Sequence, residues 1–272
     1  MIVNYPRMRR RAAWPSDLDT ALEFTSSEVF SISALKIWDG EIEYTNGSGW
    51  KTWDGSEITS GENGSNHCIY LRGIGNSKIT GAAPIFQPFW NIIGTNIACN
   101  GDIDLLLDYS TVKGGNRPAM ADDCYNSMFF GCTSLTSAPA LPATTLAVNC
   151  YASMFQNCES LTAAPSLPAT TLADWCYASM FRGCTSLTSA PSLPATTLAD
   201  DCYSYMFYGC EKIKVSSVAS GTYTKAYRIP KSGTGTTASN ALNDMFGNTG
   251  GTFIGTPEIN TTYYLDESNT IV

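Results

Sequence analysis

The sequence predicts a β-rich protein with short helices: an N-terminal antiparallel β-sandwich-like domain, a short solenoid of sequence repeats and a C-terminal cap. The motif CYxxMFxxC predicts the solenoid, because it recurs every 26 residues, in copies that start at Cys124, Cys150, Cys176 and Cys202. Short runs rich in β-branched and aromatic residues, separated by glycine and asparagine, predict the β-domain ahead of the repeats.

Strand and turn signals fill the predicted β-domain. LEFTSSEVFSISAL offers two short strands, and NIIGTNIACNGDIDLLLDY offers more. EIEYTNGSGWKTW predicts a hairpin with its turn at residues 46–49. The predicted boundaries are residues 1–19 for an N-terminal arm, 20–112 for the β-domain, 113–123 for a linker, 124–216 for the repeats and 217–272 for the cap. ALNDMFGNTGG in the cap keeps a trace of the motif at Met245 and Phe246, as expected of a degenerate final copy.

The period and the leucines at fixed offsets within each copy are typical of a leucine-rich-repeat solenoid, in which neighbouring copies bury each other's apolar sides. Residues 161–167, LTAAPSL, are the predicted strand of one copy. Tyr151, Met154 and Phe155 predict the apolar face of a short helix, since they lie at i, i+3 and i+4. The residues suited to a left-handed helix end are Gly131, Asn157, Gly183 and Gly209.

Composition excludes several classes of function. The net charge of −8 argues against a nucleic-acid groove, and no stretch is long and apolar enough to insert into a membrane. The basic start of the chain has no apolar segment behind it, as a secretory signal peptide would. We therefore expect synthesis in the cytoplasm without a signal peptide.

Eight of the ten cysteines fall into two columns at the repeat period. Stacking makes them small buried hydrophobes, and disulfides between copies are the alternative. A metal site is disfavoured because the chain has no CxxC pair and its single histidine is His67. Asp102, Asp104 and Asp108 alternate like the solvated face of a strand. We predict no metal, no cofactor and no catalytic residue.

The segments 124–147, 150–173 and 176–199 share the pattern CYxxMFxxCxSLTxAPxLPATTLA, which resembles the BspA-like (Treponema-type) leucine-rich repeat of gut bacteria and their phages. The flanking segments are similar to sequences that accompany these repeats. The resemblance implies binding by a surface adhesin or by a phage tail, fibre or other virion-surface protein, and it implies no catalytic residues. The chain departs from the adhesin pattern in lacking a signal peptide, a lipoprotein cysteine and a sorting tail, which favours the virion protein.

The copies differ from one another at a few positions, which predicts an outward stripe along the stack. An unselected solvent face is the simpler interpretation of this stripe. A surface that contacts a partner is the other, and Trp175 and Tyr208 favour it because aromatic residues are enriched at interfaces. The candidate partner-binding residues are Phe130, Gln156, Arg182, Tyr208 and Trp175.

The arm, residues 1–19, is the predicted attachment peptide, because its arginines and aromatics can pair with carboxylates and fill a groove on another subunit. Its candidate residues are Tyr5, Arg7, Arg9, Arg10, Arg11 and Trp14. A chain that starts at Asp19 is expected to keep its fold. Elsewhere, tryptophans 50 and 53 are predicted as core or interface residues, with an exposed sugar-stacking pair as the alternative.

The function predicted from these features is that of a non-enzymatic structural and binding protein of a phage particle, facing a bacterial surface. Expected partners are other virion or surface protein subunits and a bacterial-surface protein or glycan; homo-oligomerisation is left open. A bacterial adhesin at the cell surface is the alternative. A glycan-active enzyme would need two carboxylates across a cleft, which only the β-domain could host.

Overall fold

The computed structural model describes residues 13–81 and 88–272. The prediction of a β-rich chain with short helices is confirmed: strands of two to nine residues dominate, and one helical segment of nine residues, kinked at Asp108 where the backbone is not helical, follows the ninth strand in the described part. A short 3-10 helix, Leu18–Thr20, precedes the first strand.

The elements before the repeats are β1 (Leu22–Ser26), β2 (Ser31–Ala34), β3 (Glu41–Thr45), β4 (Lys51–Thr52), β5 (Ile58–Thr59), β6 (Gly61–Asn63), β7 (Asn66–Ile74), β8 (Trp90–Ile93), β9 (Ile97–Asn100) and α1 (Leu105–Lys113). The later strands are β10 (Leu135–Ser137), β11 (Ser189–Ala190), β12 (Val215–Ser216), β13 (Tyr223–Arg228), β14 (Thr262–Asp266) and β15 (Thr270–Ile271).

Two sheets hold the N-terminal region together in the described residues. The larger has the order β10-β9-β1-β7-β3-β4, with β6 also paired to β7, and the smaller has the order β5-β2-β8. The predicted hairpin is confirmed, since β3 and β4 pair antiparallel with Glu43 opposite Thr52. Trp38, Trp53 and Trp90 stack in the core, with ring centroids 5.4 and 5.7 Å apart. Trp53 is only 1% exposed, so the alternative in which Trp50 and Trp53 form an exposed sugar-stacking pair is wrong.

The segment expected to consist only of strands ends in a helix instead. Leu105, Leu106 and Leu107 are all buried, whereas a strand with one solvated face buries alternate residues. The helix backbone reaches the loop after β7, where the Asn76 side chain donates to the Leu106 carbonyl and the Asn76 N–H donates to that of Leu107. α1 therefore covers β7 and is not a further strand of its sheet.

The repeats stack through their backbones, and the short helix expected in each copy is wrong. In the first copy the N–H of Tyr125 donates to Cys150 and that of Phe129 to Met154, both in the next copy. The N–H of Ser127 likewise donates to the carbonyl of Ala152, whereas those of Asn126 and Met128 donate to carbonyls three residues back along the chain. An α-helix needs every N–H for bonds within one segment, so copies that donate alternate N–H groups to a neighbour form successive turns instead. The predicted left-handed positions are confirmed, with φ of 71° at Gly131, 60° at Asn157, 74° at Gly183 and 75° at Gly209.

Two columns of parallel rings run through the stack. One is a file of phenylalanines from Phe129 to Phe207 with centroids 5.4 to 5.8 Å apart, and the other a file of tyrosines from Tyr125 to Tyr203 with centroids 5.6 to 5.8 Å apart. Phe246 continues the first file 5.7 Å beyond Phe207. The degenerate copy in the cap is thus stacked on the fourth repeat.

The apolar core is continuous from the N-terminal strands to the cap. It includes Leu22 of β1, the ring columns and Leu265 of β14. β10 in the first copy pairs parallel with β9, and β15 near the end of the chain pairs parallel with β11 in the third copy. The predicted β-domain and repeats therefore share a sheet and a core.

All ten cysteines are buried as free thiols. In the cysteine column that begins at Cys132, three thiols contribute to the stack, because the Sγ of Cys158, Cys184 and Cys210 lies 3.0 Å from the phenylalanine carbonyl of the preceding copy. Burial raises the pKa of the Cys158 and Cys210 thiols well above the ordinary value. These side chains are consequently poor nucleophiles.

The tyrosine column yields a stability prediction. The Tyr125 hydroxyl bonds to Asp104 at 3.1 Å, whereas the buried hydroxyls of Tyr151, Tyr177 and Tyr203 have no protein partner among the described residues. We expect Tyr177→Phe to leave the free energy of unfolding within about 0.5 kcal/mol or to raise it, since it removes a buried polar group that has no partner. Tyr125→Phe should lower it by about 1–3 kcal/mol, because Asp104 loses a donor.

Urea titration of both variants checks this difference. An equal loss for the two variants would contradict it and would mean that the Tyr177 hydroxyl is bonded in solution.

The prediction that residues 1–19 form a separate attachment arm needs correction for residues 14–18. Tyr5, Arg7, Arg9, Arg10 and Arg11 lie outside the described residues. Trp14 contacts its own chain: its ring packs edge-on against Tyr70 at 5.4 Å and its Nε1 donates to the Glu62 carbonyl. Asp17 pairs with Arg72 at 2.7 Å. Residues 14–18 thus belong to the packing of the large sheet, and a chain that starts at Asp19 should be less stable.

Candidate binding groove on the turn face of the repeats

A groove of about 450 Å³ runs across the turns of all four copies. We call it the turn-face groove. Hydroxyl and amide side chains dominate its lining, which includes Asn126, Ser127, Asn149, Ser153, Gln156 and Ser179. Among its lining residues only Asp123 and Arg182 are charged, and Trp175 and Tyr205 are aromatic. The groove therefore combines polar groups, two rings and nearly balanced charge.

The turns place these side chains because every fourth residue is left-handed. In the first copy φ is 58° at Asp123 and 55° at Ser127, and in the second it is 56° at Asn149 and 54° at Ser153. The backbone N–H groups of these turns already donate hydrogen bonds, alternately to a carbonyl of the next copy and to the carbonyl three residues back. Recognition in the groove is consequently left to side chains.

Trp175 is the most exposed aromatic ring of the groove, at 46%. Its φ is 60°, although a bulky residue in the left-handed region is an outlier. The equivalent positions in the other copies carry Asp123, Asn149 and Asp201, residue types that tolerate this region. The chain thus holds a large exposed ring at a position that disfavours it.

Arg182 lies next to two tyrosines at the far end of the groove. Its guanidinium is 5.0 Å from the Tyr208 ring and 5.9 Å from the Tyr205 ring. The cap copy fixes both rings: Asn248 donates to the Tyr208 hydroxyl at 2.7 Å and Asn243 to that of Tyr205 at 3.2 Å. In the described residues no carboxylate pairs with Arg182, so its N–H groups are available for a ligand.

The five predicted partner-binding residues are only partly brought together. Gln156, Trp175 and Arg182 line the turn-face groove, Tyr208 contacts it through Arg182, and Phe130 is half-buried in the first copy. The expectation of an exposed side chain is wrong for Gln156, which is 6% exposed. It belongs to the second copy, which is stacked between the first and the third.

Sequence reasoning missed Tyr205, which occupies, with a φ of 55°, the left-handed position that Ser127, Ser153 and Ser179 hold in the other copies. The available signal was the replacement of serine by tyrosine in one copy. The columns compared between copies were the residue after Met-Phe and the two residues before the first cysteine of the motif, and neither of these columns contains Tyr205.

Asp104 was predicted on a solvated face and is instead 2% exposed, between α1 and the first copy. It accepts a hydrogen bond from the Tyr125 hydroxyl, and Arg117 bridges Asp102 and Asp104. Burial, together with the Asp102 charge, raises the pKa of the Asp104 carboxyl to about 6, against the opposing effects of Tyr125 and Arg117. The residue is a buried acid at the junction of the two regions.

This raised pKa predicts a pH dependence of stability. Because the folded pKa lies above the unfolded value near 4, the folded state holds the proton more tightly, and stability falls as pH rises from about 4 through about 6. The full loss is about 3 kcal/mol for a difference of two pKa units. The measurement is the free energy of unfolding of wild type minus that of Asp104→Asn at pH 4 and pH 7, which keeps Asp102, Arg117 and Tyr125 in both proteins. A difference independent of pH would contradict the assignment.

Among the described residues, no group of three or more His, Cys, Asp or Glu side chains is arranged to hold a metal ion. None of the helices in that part of the chain has the length and apolar composition needed to cross a bilayer.

In comparisons with known proteins, no protein-family model, no curated protein and no solved structure matches the chain.

Proposed function

We propose that this chain is a non-enzymatic display and binding protein: an N-terminal β-domain of sandwich type joined to a short leucine-rich-repeat solenoid, carried on a phage particle and facing a bacterial surface. The resemblance of the repeats to the BspA-like type supports the class of protein. The observation that carries the proposal is the turn-face groove, in which the exposed Trp175 lies on a stack held by a continuous core.

The rigidity of the stack supports a role in display. Each copy is tied to the next by alternate backbone N–H groups and by parallel rings, so groups on the turn face keep fixed positions. Pre-organised side chains lose less conformational entropy when a partner binds. Trp175 and Arg182 are also residue types that often dominate binding energy.

The carboxylate pair that an enzyme would need has another role in our proposal. Asp102 and Asp104 are bridged by Arg117, which ties the linker to the loop between β9 and α1. Arg117 occupies the space between the two carboxylates, where a glycosidic bond would have to lie in a hydrolase. We therefore assign the pair to structure.

Two measurements test the proposal. Antibodies against the purified chain are expected to label phage particles in electron micrographs, and the labelled chain is expected to bind bacterial cells saturably. Label on the envelope of the producing bacterium, with none on particles, would favour the cell-surface adhesin. Absence of saturable binding to any cell in a panel would contradict a receptor-binding role.

A matched variant connects the cell assay to the site. Trp175→Asn combined with Arg182→Gln should abolish most cell binding, whereas Val218→Asn, at an exposed apolar residue outside the groove, should leave it unchanged. Equal binding by both variants would place the contact on another surface.

A further inference from the structure

We propose that the turn-face groove binds an uncharged, extended glycan chain that lies along the stack, with Trp175 packed against the face of one sugar ring and Arg182 donating to sugar hydroxyls. This inference rests on the proposed function, since it names the class of ligand for the same surface.

The chemistry of the groove matches a ligand rich in hydroxyls. The half-buried amide and serine side chains of its lining can both donate and accept hydrogen bonds, as sugar hydroxyls do; they are Asn126, Asn149, Ser153 and Ser179. Its backbone N–H groups are already bonded, so the groove is not an open strand edge of the kind that binds extended peptides. One acid, Asp123, and one base, Arg182, leave the lining without net charge, and the chain carries −8 overall, which disfavours a polyanion.

Two residues that strain the backbone lie in this one groove. Trp175 at φ 60° and Tyr205 at φ 55° occupy positions where the other copies have Asp, Asn or Ser. A left-handed backbone has a higher conformational energy at a bulky residue than at these small polar ones. Such strained residues cluster at positions where the side chain has a function. The two rings provide the faces on which pyranose rings pack.

The spacing of the stack supports an extended chain over a single sugar. Equivalent rings in successive copies are 5.4 to 5.8 Å apart, so equivalent groove side chains recur at about the same interval. This interval is close to the advance per residue of an extended β-linked hexose chain. Successive copies thereby offer similar groups to successive sugars.

The test titrates the full chain with cellohexaose, chitohexaose and mannohexaose while tryptophan fluorescence and calorimetry are recorded. We expect saturable binding of at least one of them. Trp175→Asn should weaken it at least about tenfold, the effect of losing one good aromatic anchor. The same variant should melt at an unchanged or higher temperature, because asparagine suits the left-handed position. Tyr205→Ser should also weaken binding, and Val218→Asn should bind like wild type.

Three outcomes would overturn the inference. The first is no saturable binding of any of the three oligosaccharides, and the second is tighter binding of an oligogalacturonate, which would show an acidic ligand. The third is a melting temperature lowered by Trp175→Asn with sugar binding unchanged, which would make the ring structural. If the chain binds cells but no oligosaccharide, the proposed binding to a bacterial surface stands and the proposed glycan ligand is wrong. The two proposals can therefore fail separately.

Discussion

Phe181→Ala is expected to lower the free energy of unfolding by about 3–5 kcal/mol, the range for emptying a packed aromatic site. Phe181 is fully buried between two parallel rings, 5.7 Å from Phe155 and 5.8 Å from Phe207. Its removal opens a cavity that neither neighbour can close, because each is held by backbone bonds to its own adjacent copy. Leu167→Ala, at a leucine that is 2% exposed, should cost about 2–5 kcal/mol for the same reason.

Unfolding by guanidinium chloride checks these values, provided that the free energy of unfolding falls with denaturant concentration at the same slope in wild type and variants. Glu159→Ala is the control in the same stack, since Glu159 is exposed and should cost less than about 0.5 kcal/mol. Similar losses for Phe181→Ala and Glu159→Ala would mean that the inside and outside of the copies have been assigned wrongly.

Arg72→Met is expected to destabilise the protein by about 2–4 kcal/mol. Arg72 is 7% exposed and pairs with both Asp17 and Glu43 at 2.7 Å. Its guanidinium also lies 3.9 Å from the ring of Trp50 and 4.2 Å from that of Tyr109. Removing one partner of a buried ion pair costs about 3–5 kcal/mol, and we lower that range because water screens the Asp17 side chain, which is 37% exposed.

A double-mutant cycle identifies the cause of this loss. Adding Glu43→Gln to Arg72→Met should restore part of the stability, since it removes the carboxylate left without its partner. Lys36→Met, at an exposed lysine, serves as the control for loss of a positive charge. If Arg72→Met costs no more than Lys36→Met, the cluster around Arg72 does not stabilise the large sheet.

Features with a local or repeated cause were predictable. The hairpin at β3 and β4 follows from the glycines at positions 47 and 49, both of which have positive φ. The left-handed Gly131 and its counterparts follow from the same preference at the end of each turn segment. The backbone conformation at these positions depends on a few neighbouring residues. The same preference also recurs from copy to copy, which makes it easier to recognise in the sequence.

The helix expected in each copy shows the limit of such reasoning. Tyr151, Met154 and Phe155 have helical spacing and are all buried, yet they lie on turns. A single copy does not reveal that alternate N–H groups will be donated to the next copy. Once the copies stack, those bonds compete with the helix and replace it.

The candidate site divides in the same way. Sequence variation between copies identified Trp175, Arg182 and Gln156, which line one groove. It did not identify Tyr205, and it placed Gln156 outside although Gln156 is buried. Differences between copies identify a column of variable residues. The exposure of each side chain in that column depends on the residues stacked above and below it, which the comparison of copies does not show.

The sequence by itself determined the β-rich class, the period of the repeat and the residues that form the ring columns, because these follow from composition and from one pattern stated several times. Only the tertiary structure decided the environments of Asp104, Trp14 and Arg72. Asp104 is buried by a tyrosine 21 residues away, and Arg72 pairs with a carboxylate 55 residues away. Burial and pairing of this kind arise from contacts between distant segments, which no local pattern encodes.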